Sequence, residues 1–304
     1  MKEDSKSSNG SGSSGMIGSI IRRNPHQKPV EEEEEKEMSF IDHLEELRWH
    51  VVRSVAAIFV FGFIAFTNKE LFFGKIILGP SKIDFWTYRM FCKLGQLMDS
   101  NALCIEKLNF VIQAREMTEQ FTMHLGSSIV IGLVLAFPYA FWEMWRFIKP
   151  GLHPTERRMT TGATFFVSLL FLLGVMFGYF IAAPLSINFL ANYQIDESIV
   201  NEFNISSYIS TLVTLVIGCG LMFQLPMLVF VLAKMGIITP TLMRQYRKHS
   251  IVVILIVAAV ITPPDVISQI LISIPLFLLY EISITICARV VRAKLKELSM
   301  EENT

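Results

Sequence analysis

Residues 162–190 read GATFFVSLLFLLGVMFGYFIAAPLSINFL, 29 residues without one Asp, Glu, Lys, Arg or His. As a helix this stretch is long enough to cross a hydrocarbon core of about 30 Å. A water-soluble domain has no use for that much unbroken apolar helix. In hydrocarbon, an unpaired backbone amide is costly, and only helices or closed barrels satisfy them all. Five further runs of the same kind accompany it: Ser54–Phe66, Phe121–Trp142, Tyr208–Ala233, Ser250–Thr262 and Val266–Ala288. The expected fold class is all-α, a polytopic membrane protein with six transmembrane helices. Its function must take place in or across a membrane.

The chain of 304 residues balances 27 Lys plus Arg against 27 Asp plus Glu, a formal net charge of zero. That excludes the concentrated basic surface that a nucleic-acid binder needs. The charge is unevenly spread, however. Arg146, Lys149, Arg157 and Arg158 separate the second and third runs, Lys234, Arg244, Arg247 and Lys248 the fourth and fifth, and Arg289, Arg292, Lys294 and Lys296 follow the sixth. The stretch Ala191–Ser207 has no Lys or Arg and carries Asp196, Glu197 and Glu202. By the positive-inside rule the basic loops are cytoplasmic, so both termini lie inside. Residues 67–120 hold seven Lys or Arg yet fall outside on this count, which a long loop tolerates.

Cys92 and Cys104 both sit in that outer loop, close in sequence, where an oxidising compartment lets them pair. Cys219 and Cys287 fall inside spans and read as packing residues. Residues 1–37, rich in Ser, Gly and Lys and ending in the acidic run Glu31–Glu35, cannot bury a core and are expected to be a disordered cytoplasmic tail. Within it Asn9–Gly15 (NGSGSSG) reads like a linker. A helix is expected from Met38, with Ser39 as N-cap and Asp42 at the capping-box position. The six-helix membrane domain is assigned to 38–290, with an insertion at 84–115 in the outer loop, and 291–304 to a cytoplasmic tail. Asn204-Ile205-Ser206 fits a glycosylation triplet.

Prolines 138, 184, 226 and 275 punctuate the spans, each removing a helix hydrogen bond. The fifth run is short: the 14 residues His249–Thr262 make about 21 Å of helix, less than the core thickness. Either the bilayer thins there, or the Pro263-Pro264-Asp265 turn lies below the outer surface.

Three motifs carry a family resemblance. They are His43-Leu44-Glu45-Glu46-Leu47-Arg48, then Phe147-Ile148-Lys149-Pro150-Gly151-Leu152 followed by Glu156-Arg157-Arg158, and Thr262-Pro263-Pro264-Asp265-Val266 with Gln269. Together, from about Phe40 to Arg289, they resemble TatC, the multispanning core subunit of the twin-arginine protein translocase. The resemblance implies a glove-shaped protein of the bacterial cytoplasmic (inner) membrane with short fifth and sixth helices. It implies binding of twin-arginine signal peptides on folded cargo, work with single-span TatA/TatB-type partners, self-association in a larger complex, and transport driven by the proton gradient. Two adjacent guanidiniums call for at least two carboxylates, and the motif match assigns these to Glu46 and Glu156. Arg48, Arg158, Phe147 and Pro150 accompany them in the signal-binding set. The residues also allow plainer readings: Glu46 as a solvated acid on an interfacial helix, and Glu156 as an N3 acid on a helix capped by His153 with Pro154 at N1.

Within the membrane, Gln224, Asp265, Gln269 and Glu281 are the polar residues with a possible partner role. Gln224 stands where the family often has glutamate, so a hydrogen-bonding role survives there and an ion-pairing one does not. Glu281 lies eight residues before Arg289, about 12 Å of helix from the interface, and an intramembrane acid is a functional candidate or interhelical glue. His43 and Glu46 have ligand spacing but lack further partners, so no metal or cofactor is expected. No catalytic motif is present, and an enzyme is not expected. A small-molecule or ion secondary transporter is the alternative function; it predicts convergent polar groups at the midplane and two related halves, and the chain shows no obvious internal duplication.

Overall fold

The structure, a computed structural model, describes residues 40–97, 104, 110–148, 162–196, 198–263 and 265–301. The amino-terminal tail with Ser39, the segment 149–161 and Pro264 lie outside the described residues. α1 (Phe40–Thr67) runs unbroken from its polar start into the first apolar run. A cap follows, made of a π-helical turn Glu70–Ile77, a 3-10 turn Gly79–Ser81, α2 (Trp86–Leu97) and the short strand β1 (Phe110–Gln113). A disulfide joins Cys92 to Cys104, their Cα atoms 4.1 Å apart. α3 (Glu119–Ile148) then returns antiparallel along α1. Next come α4 (Ala163–Phe177), a π-helical turn Gly178–Ala182 and α5 (Ala183–Asn192), which together form one rod.

β2 (Asn201–Asn204) pairs in parallel with β1, Phe110 opposite Asn201 and Gln113 opposite Asn204, so two separate loops become one cap. α6 (Ile205–Met222) starts where the Asn204 side chain accepts from the Ser206 N–H, at 3.4 Å. The triplet read as a glycosylation signal is therefore part of a helix cap. α7 (Leu225–Lys234) continues after a break at Phe223–Gln224 and ends at Gly236, whose φ of 77° suits glycine. α8 (Pro240–Gln245), α9 (Arg247–Ile261) and α10 (Val266–Glu301) complete the chain.

Five described stretches are long and apolar enough to cross a membrane: Glu45–Thr67, Glu119–Phe147, Thr164–Asn192, Ile205–Lys234 and Ser268–Lys296. Large side chains such as Phe59, Phe63 and Phe165 project outward, each about two-thirds exposed, as lipid-facing residues do. The chain is a multi-pass membrane protein. The remaining apolar run, the fifth, is α9, at 15 residues about 22 Å long and below the length of an ordinary span. The last helix departs from expectation: α10 is not short but continuous over 36 residues. Beyond Ala288 the run Ala293-Lys294-Leu295-Lys296-Glu297 consists of good helix formers, and Lys294 Nζ donates to the Lys234 carbonyl at 3.2 Å, holding α10 against the end of α7. No break separates 38–290 from the tail.

Close backbone approach at glycine sets the helix packing. A Cβ on Gly132 of α3 would fall 2.5 Å from the Ile58 carbonyl oxygen and 2.6 Å from the Gly62 nitrogen of α1. Gly174 of α4 meets α6 the same way, with the Cys219 carbonyl oxygen at 2.6 Å. Around α6 the core gathers Leu212, Leu215, Cys219, Ile254, Ala258, Ile272 and Leu276.

The cap is bolted to the helices through carbonyls that helix geometry leaves short of donors. Pro184 has no N–H to offer the Phe180 carbonyl four residues earlier, and Thr87 Oγ1 of α2 donates to that oxygen at 2.6 Å. Tyr88 donates to the Pro80 carbonyl at 2.8 Å and lies 3.2 Å from that of Pro184. Burial pushes its phenol well above the ordinary range, keeping it a donor. Tyr179 and Tyr208 donate to the Ile76 and Ile77 carbonyls at 2.8 and 2.9 Å.

Three substitutions test this packing. Gly132→Val should lower the thermal midpoint of the detergent-solubilised chain, by the equivalent of about 1–3 kcal/mol for overpacking. Gly126→Ala, at a position with open space around it, should leave that midpoint unchanged or slightly raised. Thr87→Val should cost about 1–3 kcal/mol by leaving the Phe180 carbonyl unsatisfied, read as faster proteolysis within the cap; an unchanged digestion pattern would contradict this account of how the cap is held.

Candidate functional site

Because α1 and α3 are antiparallel, the start of one lies against the end of the other. Glu46, His50 and Arg53 recur at four- and three-residue steps on one face of α1, and Tyr139 and Glu143 at a four-residue step on α3. His50 Nδ1 and Glu143 Oε2 lie 2.5 Å apart and share a hydrogen bond, with only 7% of His50 and 2% of Glu143 exposed. Tyr139 donates to the other carboxylate oxygen at 3.0 Å. Arg53 acts on Glu143 through space. A buried carboxylate is tolerable only when paired and hydrogen-bonded, and Glu143 is both.

Glu46 stands at the rim of this buried group. Its Oε1 lies 3.9 Å from His50 Nε2, at the limit of an ion pair, and its side chain is 37% exposed. Its Oε2 is shielded from solvent and has no hydrogen-bond partner among the described residues. The Phe147 ring lies against His50, centroids 6.2 Å apart, and Arg146 sits over the Trp142 ring at 5.4 Å. The patch therefore joins one under-satisfied carboxylate to an aromatic floor and a buried acid–imidazole pair.

The expected site residues fall into different groups. Glu46 and Phe147 come together here. Arg48, two residues after Glu46, is exposed on another side of the helix. Pro150, Glu156 and Arg158, with the cap residues His153 and Pro154, lie outside the described residues. His50, Tyr139 and Glu143 were absent from the expected set. The signals for them were the spacing of Glu46, His50 and Arg53, and an acid inside the aromatic run Phe141-Trp142-Glu143-Met144-Trp145.

The polar residues within the spans are each engaged separately. Gln224, at the break before α7, donates from Nε2 to the Val167 carbonyl of α4 at 3.1 Å, while its Oε1 is buried without a partner among the described residues. Glu281 accepts from Arg247 at 2.8 Å, tying α9 to α10. Asp265 is 4% exposed and caps α10 by accepting from the Ser268 N–H at 2.5 Å. Gln269 Nε2 donates to the Leu255 carbonyl at 3.1 Å, closing the same turn. Among the described residues no group of three or more His, Cys, Asp or Glu is placed to hold a metal ion.

Apolar helices, glycine-mediated crossings and a polar patch at the end bearing the basic loops define a multi-pass helical membrane protein with its chemistry at one face. Residues 42–275 match the family model for the Sec-independent protein translocase protein (TatC), and the chain belongs to that family. It is 39% identical over 263 residues to the Sec-independent protein translocase protein TatC of Blattabacterium sp. subsp. Periplaneta americana (strain BPLAN), covering 86% of this chain and 99% of that one. The TatCy protein of Bacillus subtilis (strain 168) is 32% identical over 251 residues, 82% of this chain and 89% of that one. The crystal structure of the twin arginine translocase receptor TatC superimposes with a TM-score of 0.60 at 31% identity, covering 81% of this chain and 97% of that chain. This is a component of protein translocation machinery, and no catalytic activity is indicated.

The His50–Glu143 pair gives a prediction of sign. His50→Leu or Glu143→Leu alone leaves one buried polar partner stranded and should destabilise by about 3–5 kcal/mol. The double replacement should cost less than either single change, because neither buried partner is then stranded and the exposed Tyr139 can turn its hydroxyl to water. Thermal unfolding followed by circular dichroism checks this; single effects that simply add would contradict it.

Proposed function

We propose that this protein is the twin-arginine signal-peptide receptor and core scaffold of a translocase exporting folded proteins across the bacterial inner membrane. The observation that carries the reading is Glu46: partly exposed, with a shielded oxygen lacking a partner among the described residues, at the end that also bears the basic loops. A carboxylate held this way gains from a guanidinium what it lacks in the unliganded protein. Glu156, assigned by its motif, supplies the second acid, with Arg158 and Pro150 beside it and Arg48 flanking Glu46. The acid–imidazole pair behind Glu46 and the ring of Phe147 exclude water from one side, which raises the worth of a charge pair above the 0–1 kcal/mol or so of an exposed one.

The topology of the proposal has six spans, the five long helices plus α9, with both termini cytoplasmic because the basic segments then all lie inside. Residues 1–37 and 291–304 are its cytoplasmic tails. The apolar part of the signal would lie along the helices, single-span TatA/TatB-type subunits would assemble against α6 to α10, several copies would associate in a larger complex, and the proton gradient would supply the energy. Gln224, with one amide oxygen unpartnered, is suited to accept a hydrogen bond from a partner segment. The comparisons do not favour the small-molecule transporter: the described intramembrane polar groups join helix to helix and do not converge at a midplane site.

Co-purification tests the reading. A reporter bearing a twin-arginine signal should be retained by the membrane-embedded protein, and a twin-lysine version should bind about tenfold less, the equivalent of some 1.4 kcal/mol. Glu46→Gln combined with Glu156→Gln should abolish that preference while the thermal midpoint holds. Retention that is equal for both signals, or untouched by the double replacement, would overturn the assignment.

A further inference from the structure

α2 has two unlike faces. Thr87, Tyr88 and Gly95 are buried, and the first two bolt the helix to the rest of the protein. On the opposite side Trp86, Met90 and Leu97 are exposed by 60, 43 and 85%. At about 100° per residue these three fall within roughly 40° of arc. Arg89 and Lys93, both exposed, flank the same stripe. A soluble surface has no need of an indole and two aliphatic side chains aligned in this way. An amphipathic helix lying in a membrane surface does need them, with cations beside them.

The depth of the helix agrees. The Trp86 ring stands edge-on over Phe180, centroids 5.7 Å apart. Phe180 comes seventeen residues after Ala163, the first residue of α4, a rise of about 26 Å against a hydrocarbon core of about 30 Å. Trp86 is thus level with the boundary between acyl chains and headgroups, on the side opposite the basic loops. Below it, Leu169, Leu172, Leu173 and Met176 of α4, each exposed by 40 to 54%, lead up the same face of the helix to Phe180. The stripe of α2 is the upward continuation of a surface that lipid covers.

We propose that α2 is an interfacial anchor, with the Trp86–Met90–Leu97 edge immersed among the upper acyl carbons and Arg89 and Lys93 paired with anionic lipid headgroups. The indole suits that depth, where its ring is apolar and its N–H reaches water, and the long basic side chains extend outward from the same helix to the phosphates. A second copy of the chain docked through this face would bring Arg89 and Lys93 against their own counterparts, so the charges select lipid. The anchor fixes the capped end at one depth, and it stands apart from the signal-receptor reading, which concerns the other side of the membrane.

The test uses the full chain, its Cys92–Cys104 bond closed, in vesicles of phosphatidylcholine alone and of phosphatidylcholine mixed with phosphatidylglycerol. A nitroxide is attached through a keto amino acid at position 90, then at 97, with position 196 in the water-facing loop as reference. At 90 and 97 the ratio of collisions with oxygen to collisions with a soluble nickel chelate should be severalfold higher than at 196. R89E combined with K93E should lower that ratio in the phosphatidylglycerol vesicles, each lost cation being worth about a factor of five, and much less in phosphatidylcholine alone. Ratios equal to that at 196 would overturn the anchor. So would spin–spin broadening relieved by dilution with unlabelled protein, which would mean that a second copy covers the stripe. Equal effects of the charge reversal in both vesicles would overturn the headgroup pairing.

Discussion

The contact on which the polar face depends is made by two glycines with no polar chemistry of their own. Gly132 and Gly62 let the backbones of α3 and α1 come within the reach of a single missing methyl. That closeness, carried two to three turns along the helices, brings His50 within 2.5 Å of Glu143 and leaves Glu46 at the edge of the pair. In membranes the hydrophobic effect does not drive helices together, so small residues and interhelical hydrogen bonds must do so. Here one pair of helices uses both devices, small residues at mid-span and a buried hydrogen-bonded acid–imidazole pair near the end. At the far end Phe66 stacks on His124, centroids 4.4 Å apart, and fixes the rotation of the two helices about each other.

The other spans meet the same problem of unsatisfied polar groups with different partners. Where Pro184 withholds a donor, the cap supplies Thr87. Gln224 at the break between α6 and α7 is used on α4. The turn after α9 is closed by Asp265 and Gln269. The cap is thus part of the membrane fold, because it completes the hydrogen bonding of helices that proline has interrupted. This gives the described part of the outer loop a structural task, and its strand pairs with one from the loop after α5.

The sequence made the helices legible because hydrophobicity is local: each apolar run announces itself, and Pro184 and Pro226 mark where a rod changes character, whereas Pro138 and Pro275 sit inside unbroken helices. The polar start of α1 ahead of its apolar run was legible for the same reason. What was not legible depends on rotation and neighbourhood. His50 and Glu143 are 93 residues apart, as are Thr87 and Phe180, and nothing within either helix says which face meets which partner. The parallel strands are too short to show a period, and their register appears only when two distant loops converge. Glu281 reads from sequence as an isolated acid deep in a span, and only the fold supplies Arg247, 34 residues earlier. The length of α10 was misjudged because the family resemblance, rather than the helix-forming tail after Ala288, guided the expectation.

The Arg247–Glu281 pair also bears on the depth of the charges beside α9. Glu281 lies fifteen residues beyond Val266, the first residue of α10, and Arg247 fifteen before Thr262, where α9 ends. Both therefore sit about 22 Å from the capped turn. That distance is roughly 8 Å less than the thickness of an ordinary hydrocarbon core. A thinner bilayer costs fractions of a kcal/mol per Å, whereas an ion pair sunk in full-depth hydrocarbon loses several kcal/mol per ion in solvation. The two charges are also 47% and 33% exposed at the protein surface, so protein does not shield them. The cheaper arrangement lets headgroups or water reach the pair beside the short apolar helix α9.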